Sequence, residues 1–236
     1  MVTFEETASV RAAEPHRATA ARRNAAKYAV ELIGTFFLVF TVGTSVRSGS
    51  PLAPLAIGAV LMVMIYAGGH VSGGHYNPAV TLAVLLRYRI TPRDAVRYWI
   101  AQLVAGLLAA ALVRAVVDPA HPAAPTLLTL NQHTIGAAFV VELLFTFALC
   151  YVVLNVATSK SNPDNSFYGL AIGFTVMAGA FAVGAISGGA FNPAVTIGAA
   201  VMGMFAWSTL WVYLAAQLIA GAAAGAAFLA LNPDDR

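Results

Sequence analysis

Apolar residues along this chain come in blocks of about twenty, separated by short polar breaks. Six blocks occupy roughly 28–47, 52–70, 95–117, 136–157, 167–185 and 207–231. A helix of about 20 residues crosses a hydrocarbon core of about 30 Å, so each block predicts a membrane-spanning helix. The breaks carry turn residues: Ser48-Gly49-Ser50-Pro51, Thr91-Pro92-Arg93-Asp94 and Ser161-Asn162-Pro163-Asp164. Two further apolar stretches, 77–87 and 192–203, are too short to span, since about ten helical residues rise only about 15 Å. Each follows a Ser-Gly-Gly segment. Irregular backbone at membrane depth is tolerated only where protein or a watery cavity satisfies it. Each stretch therefore predicts a re-entrant loop followed by a half-helix.

The two halves of the chain are copies. Residues 71–81 read VSGGHYNPAVT and residues 186–196 read ISGGAFNPAVT, which sets Asn77 and Asn192 115 residues apart. At the same offset Leu55-Ala56-Ile57-Gly58 recurs as Leu170-Ala171-Ile172-Gly173, and Gln102 recurs as Gln217. The predicted organisation is a tail at 1–27, a first repeat at 28–117, a linker at 118–135, a second repeat at 136–231 and a short tail at 232–236. Three spans per copy is an odd number, so the second copy is inverted relative to the first. The half-helices then enter from opposite sides and point their N-termini at each other near the midplane. Inverted repeats with broken helices place a transport site at that junction.

Charge is scarce: 10% of the 236 residues are charged and 59% are hydrophobic. A soluble domain would carry about a quarter charged residues. With the N-terminus inside, 11 of the 13 Lys and Arg residues fall on the cytoplasmic side, leaving Arg47 and Arg114 outside. That asymmetry favours cytoplasmic termini. The net charge of +3 therefore reflects orientation signals and not nucleic-acid binding. Residues 1–27 are polar and Arg-rich and are expected to form a mobile cytoplasmic tail. The excess of Arg over Lys and the abundant Ala hint at a GC-rich bacterium, hence an inner membrane. Cys150, the single cysteine, lies in an apolar run and excludes an intrachain disulfide or a cysteine-based metal cluster.

Asparagine is a preferred N-cap and proline is favoured at the first helical position. Asn77-Pro78-Ala79 and Asn192-Pro193-Ala194 thus each start a half-helix. The capping side chain accepts a backbone N–H through its oxygen, which is expected to leave its NH₂ group as a donor for passing molecules. Each helix N-terminus carries about half a positive charge. A cation at the junction of two such termini meets repulsion without its hydration shell. A water that accepts from both asparagines turns its hydrogens away along the axis and breaks the chain through which a proton would hop.

With these motifs, Glu31 in ELIGTFFLVF, Glu142 and Gly173, the sequence resembles the major intrinsic protein family, the aquaporins and aquaglyceroporins, over about residues 28–231. The resemblance implies an all-α membrane fold of six helices plus two re-entrant half-helices. It also implies a pore in each subunit for water and small neutral solutes, a homotetramer and no cofactor. It maps an outer selectivity filter onto Ile57, Ala180, Gly189 and Val195. Most members carry an arginine at the last of these positions, directly after the second motif. Here all four are uncharged and two are very small, so a wide apolar filter is expected. It would admit glycerol-like polyols, urea, ammonia or neutral metalloid hydroxides besides water.

Glu31 and Glu142 lie within spans, where an ionisable group is a functional candidate by default. A proton relay is one reading. The favoured one is that each accepts hydrogen bonds from a re-entrant loop, because the pair is duplicated. His70 and His75 flank the first Ser-Gly-Gly without the companions a metal site needs. His75 would brace the loop or line the cytoplasmic mouth. No catalytic constellation or nucleic-acid module is present. A passive channel is the leading function. An alternating-access transporter and a junctional membrane protein with a vestigial pore are the alternatives. With no filter arginine, the asparagine pair must carry most of the charge exclusion. Asn192→Asp should therefore open a cation leak in ion-flux assays on proteoliposomes, and an ion-tight variant would contradict the assignment.

Overall fold

The computed structural model describes residues 4–117 and 127–235. Among these, eight α-helices follow in order: α1 Phe4–Arg47, α2 Ala53–Ser72, α3 Pro78–Leu86, α4 Pro92–Leu112, α5 Ile135–Ala157, α6 Tyr168–Ser187, α7 Pro193–Val201 and α8 Leu210–Leu231. A π-helical turn at Val113–Val117 extends α4, and a 3₁₀ turn at Trp207–Thr209 leads into α8. Six helices are long and apolar enough to cross a membrane, and α3 and α7, at nine residues each, are the two half-helices.

The ends of the elements differ from the hydropathy blocks for local reasons. α2 and α6 run on to Ser72 and Ser187, where Gly73 and Gly188 stop them in the left-handed conformation. That backbone closes a helix end and is open to glycine without strain. α4 starts earlier than expected because Thr91 caps it, its hydroxyl accepting from the Asp94 N–H at 3.1 Å, with Pro92 at the first position. α7 ends at Val201, short of the expected 203, where Met204 N–H turns back onto the Ala199 carbonyl. The tail expected over 1–27 is helical from Phe4, and only Ala21–Arg47 of α1 reads as a span. Alanine, arginine and glutamate, strong helix formers, fill this polar stretch. The first half of the expected linker, residues 118–126, lies outside the described residues. At its far end Leu128 forms an isolated bridge to Phe205.

Packing respects the repeat. α1 lies on α4 as α5 lies on α8, α3 lies on α8 as α7 lies on α4, and α2 crosses α6. The last crossing is close: a Cβ on Gly173 would sit 2.5 Å from the Gly58 carbonyl, and one on Gly58 would sit 2.6 Å from the Gly173 carbonyl. Small residues permit this approach where helices pack without a hydrophobic drive from lipid. The exposed faces carry Leu, Val, Ile and Phe, with Trp207 and Trp211 at one end of α8, as a lipid-facing surface requires.

One buried ion pair ties three distant segments together at the end of α3. Arg87 is fully buried, donates to Asp235 Oδ1 at 2.6 Å and lies over the Phe228 ring at 4.3 Å. Asp235 Oδ2 accepts from the Ser159 hydroxyl and the Lys160 N–H. Both Arg87 and Asp235, read in the sequence only as an orientation charge and a tail residue, therefore hold the α5–α6 loop. Burial pushes the Asp235 carboxyl up, but Lys160, Ser159 and Arg87 outweigh it and hold it below the ordinary carboxylate value. Its ionised form therefore stabilises the fold. That contribution is complete above the unfolded carboxylate pKa and is lost as pH falls through the lowered folded value. Detergent melts of wild type and Asp235→Asn should differ at neutral pH and converge only below about pH 4. A gap that widened on acidification would contradict this.

Candidate functional site

The site begins at the two helix starts. Asn77 and Asn192 both hold extended backbone, φ −156° in each, and cap their helices through side-chain oxygens that accept from Ala79 N–H at 2.8 Å and Ala194 N–H at 2.9 Å. The NH₂ groups are not left over, as the sequence suggested. Asn77 Nδ2 donates to the Phe191 carbonyl and Asn192 Nδ2 donates to the Tyr76 carbonyl, each at 2.9 Å. The two re-entrant loops are thus stitched to each other by a reciprocal pair of bonds. One hydrogen of each amide is used in this way and one remains for a permeating molecule.

The stitch depends on an unusual backbone. Tyr76 and Phe191, immediately before the asparagines, both sit at φ +48°. A bulky residue with positive φ is strained, and such strain persists only where the surroundings over-determine it. The surroundings here are duplicated. Glu31 accepts from Ser72 Oγ, His75 N, Tyr76 N and Gln102 Nε2 at 2.7–2.9 Å. Glu142 accepts from Ser187 Oγ, Ala190 N, Phe191 N and Gln217 Nε2 at 2.7–3.0 Å. Both carboxyl groups are fully buried, and all their partners are donors, so each neutralises the polar groups of one irregular loop. Gln102 and Gln217 also reach Thr81 and Thr196, while the Tyr98 and Tyr213 hydroxyls donate to the carbonyls of Ser72 and Ser187. These serines, threonines and tyrosines were missed by sequence reasoning although each pair stands at the 115-residue offset of the repeat.

The junction opens into a cavity of about 340 Å³ whose wall includes Asn77, Asn192 and all four expected filter positions, Ile57, Ala180, Gly189 and Val195. Among the described residues, His75, Asn77 and Asn192 are the only polar side chains in that wall, and none of the lining residues is charged. Val195 is the repeat partner of Val80, which also lines the cavity. Arg47 and Arg114 are not among the lining residues: Arg47 donates to the Met202 carbonyl and Arg114 to the Val201 carbonyl, at the C-terminal end of α7. A second cavity of about 410 Å³ adjoins, lined by Lys27, Arg89, Thr91 and Asp94. His75 and Val153 belong to both walls and form the boundary between them. The His75 ring is fixed there by Thr81 Oγ1 at 3.0 Å from Nδ1 and by an edge contact with Tyr98.

Comparison with known proteins agrees with this geometry. The description "Major intrinsic protein" belongs to the family profile that matches residues 18–229. The chain is 42% identical over 196 residues to glycerol uptake facilitator protein-like 6 of Lactiplantibacillus plantarum, covering 80% of this chain and 90% of that protein. It is 37% identical over 203 residues to aquaporin NIP1-4 of Oryza sativa subsp. japonica, covering 83% and 72%. Its fold matches the crystallised aquaglyceroporin from Plasmodium falciparum with a TM-score of 0.70 at 18% identity, over 87% of this chain and 95% of that one.

Removing one brace should expose its importance. Glu142→Ala leaves two backbone N–H groups, a hydroxyl and an amide without their acceptor, each costing about 1–3 kcal/mol. The variant should melt well below wild type in detergent, and whatever folds should conduct at least roughly tenfold less. Wild-type melting and flux together would contradict the bracing role.

Proposed function

The chain belongs to the major intrinsic protein family, and from that premise, a multi-pass membrane channel for water and small solutes and not an enzyme, we propose a passive pore with a wide apolar filter that passes neutral solutes larger than water. Glycerol-like polyols, urea, ammonia and neutral metalloid hydroxides are the class. The observation that carries the reading is the common cavity wall shared by Ile57, Ala180, Gly189 and Val195. Alanine and glycine leave bore, valine supplies no charge, and neither Arg47 nor Arg114 lines the cavity. The name of the Lactiplantibacillus relative, a glycerol uptake facilitator protein-like, supports polyols within this class.

Exclusion of ions is assigned to the junction itself. The N-termini of α3 and α7 meet there, each contributing about half a positive charge in a low-dielectric wall. One amide hydrogen from each asparagine is available to a single water or hydroxyl oxygen, which must then turn its own hydrogens outward. Pore selectivity thus rests on Asn77 and Asn192 for charge and on the filter for size. Cytoplasmic termini, a location in a bacterial inner membrane and a homotetramer complete the proposal. Among the described residues none that lines the cavity is charged, which disfavours ion-coupled transport over passive flow.

Stopped-flow light scattering on proteoliposomes tests the filter. Wild type should pass glycerol and urea above the bare-lipid rate. Val195→Arg should lower both by about tenfold or more while water flux stays within about threefold, as a charged constriction requires. Permeability of wild type to water alone would refute the wide filter.

A further inference from the structure

The two ends of the pore differ in chemistry more than the repeat requires. Beyond His75 and Val153 the wall includes Lys27, Arg89, Thr91 and Asp94. At the opposite end it includes Val46, Ala53, Pro54, Leu128, Met204 and Phe205, with no polar side chain among them. The repeat partners of Met204 and Phe205 are Arg89 and Ile90, so the second copy has exchanged a cation for a thioether and a branched aliphatic for an aromatic ring. Leu128 comes from the segment between the repeats and has no partner at all.

This apolar end is built and held. A Cβ on Gly188 would lie 2.5 Å from the Phe205 ring and 3.4 Å from Leu128 Cδ2, so glycine at 188 is what admits both side chains to the mouth. Phe205 stacks on Tyr213 with centroids 4.7 Å apart, and the Tyr213 hydroxyl is tied to the Ser187 carbonyl at 2.8 Å. Leu128 is fixed through its backbone, which donates to the Met204 carbonyl at 2.9 Å and accepts from the Ala206 N–H at 3.4 Å. A solute crossing this stretch meets a fixed apolar surface before it reaches the amide hydrogens of Asn77 and Asn192. Each hydroxyl or N–H it carries loses water there without a side-chain partner, whereas each methyl it carries gains.

We propose that Phe205 and Leu128 are specificity-determining residues that favour neutral solutes carrying a methyl or short alkyl group beside their hydroxyl or amide. The proposal rests on the wide-filter reading, since a bore for water alone would exclude such solutes whatever its polarity. Permeation is ordered by two opposing terms, added size and added apolar area. Burial of one methylene is worth about fourfold in partition, enough to overturn the size penalty in a wall this apolar.

Stopped-flow swelling with urea and N-methylurea, corrected for protein-free liposomes, decides it. Wild type should pass N-methylurea about twofold to fourfold faster than urea. Leu128→Ser and Phe205→Ser should bring that ratio to one or below while urea flux stays above the bare-lipid rate, which also reports that the pore is folded. Should Phe205→Ser fail to fold, Leu128→Ser alone decides, because its backbone bonds do not need the side chain. A wild-type ratio below one, or a ratio that Leu128→Ser does not move, overturns the proposal while leaving the wide filter standing. No flux of either solute above bare lipid overturns the wide filter and this proposal with it.

Discussion

The structure turns on two hydrogen bonds, from the side-chain amide of each motif asparagine to the carbonyl that precedes the other one. They join segments 114 and 116 residues apart at 2.9 Å. Through them two helices too short to cross the bilayer become one interrupted helix across its middle, with the interruption open to the pore. The bonds require Tyr76 and Phe191 to hold positive φ, and that in turn requires the buried carboxylates of Glu31 and Glu142 to gather the loop N–H groups. The proposed barrier to ions at the junction rests on this geometry, since the bonds that fix the helix tips use one hydrogen of each amide and leave the other.

Duplication explains the economy of the site. Glu31, Ser72, Thr81, Tyr98 and Gln102 form one brace, and Glu142, Ser187, Thr196, Tyr213 and Gln217 form its inverted copy. Where the copies diverge, the chemistry of the pore diverges. His75 against Ala190 puts an imidazole at one boundary, and Arg89-Ile90 against Met204-Phe205 makes one end charged and the other apolar. Where they do not diverge, at Val80 and Val195, both copies place an uncharged valine in the cavity wall.

Much of this was legible in the sequence because it is local or periodic. Span lengths follow from hydropathy, and Asn-Pro after Ser-Gly-Gly announces a capped half-helix wherever it occurs. The four positions that the family resemblance offered as a filter, Ile57, Ala180, Gly189 and Val195, line one cavity. The cross-loop bonds were not legible, because nothing near Asn77 says that its amide meets residue 191, and because Tyr76 and Phe191 are unlikely residues for a left-handed backbone. Arg87 was read as a topology charge because it follows a half-helix in a short break. Its true partner, Asp235, lies 148 residues away with no pattern to link them. The start of α1 was misplaced because hydropathy detects lipid and not helix.

Solid-state NMR on reconstituted protein, labelled with ¹⁵N at asparagine side chains and ¹³C at phenylalanine carbonyls, addresses the stitch itself. Dipolar recoupling should reveal two close Nδ2–carbonyl contacts, Asn77 to Phe191 at 2.9 Å and Asn232 to Phe228 at 3.0 Å, of which only the first disappears in Asn77→Asp. A folded, conducting wild type that shows only the contact that Asn77→Asp retains would show that the helix tips do not meet as described.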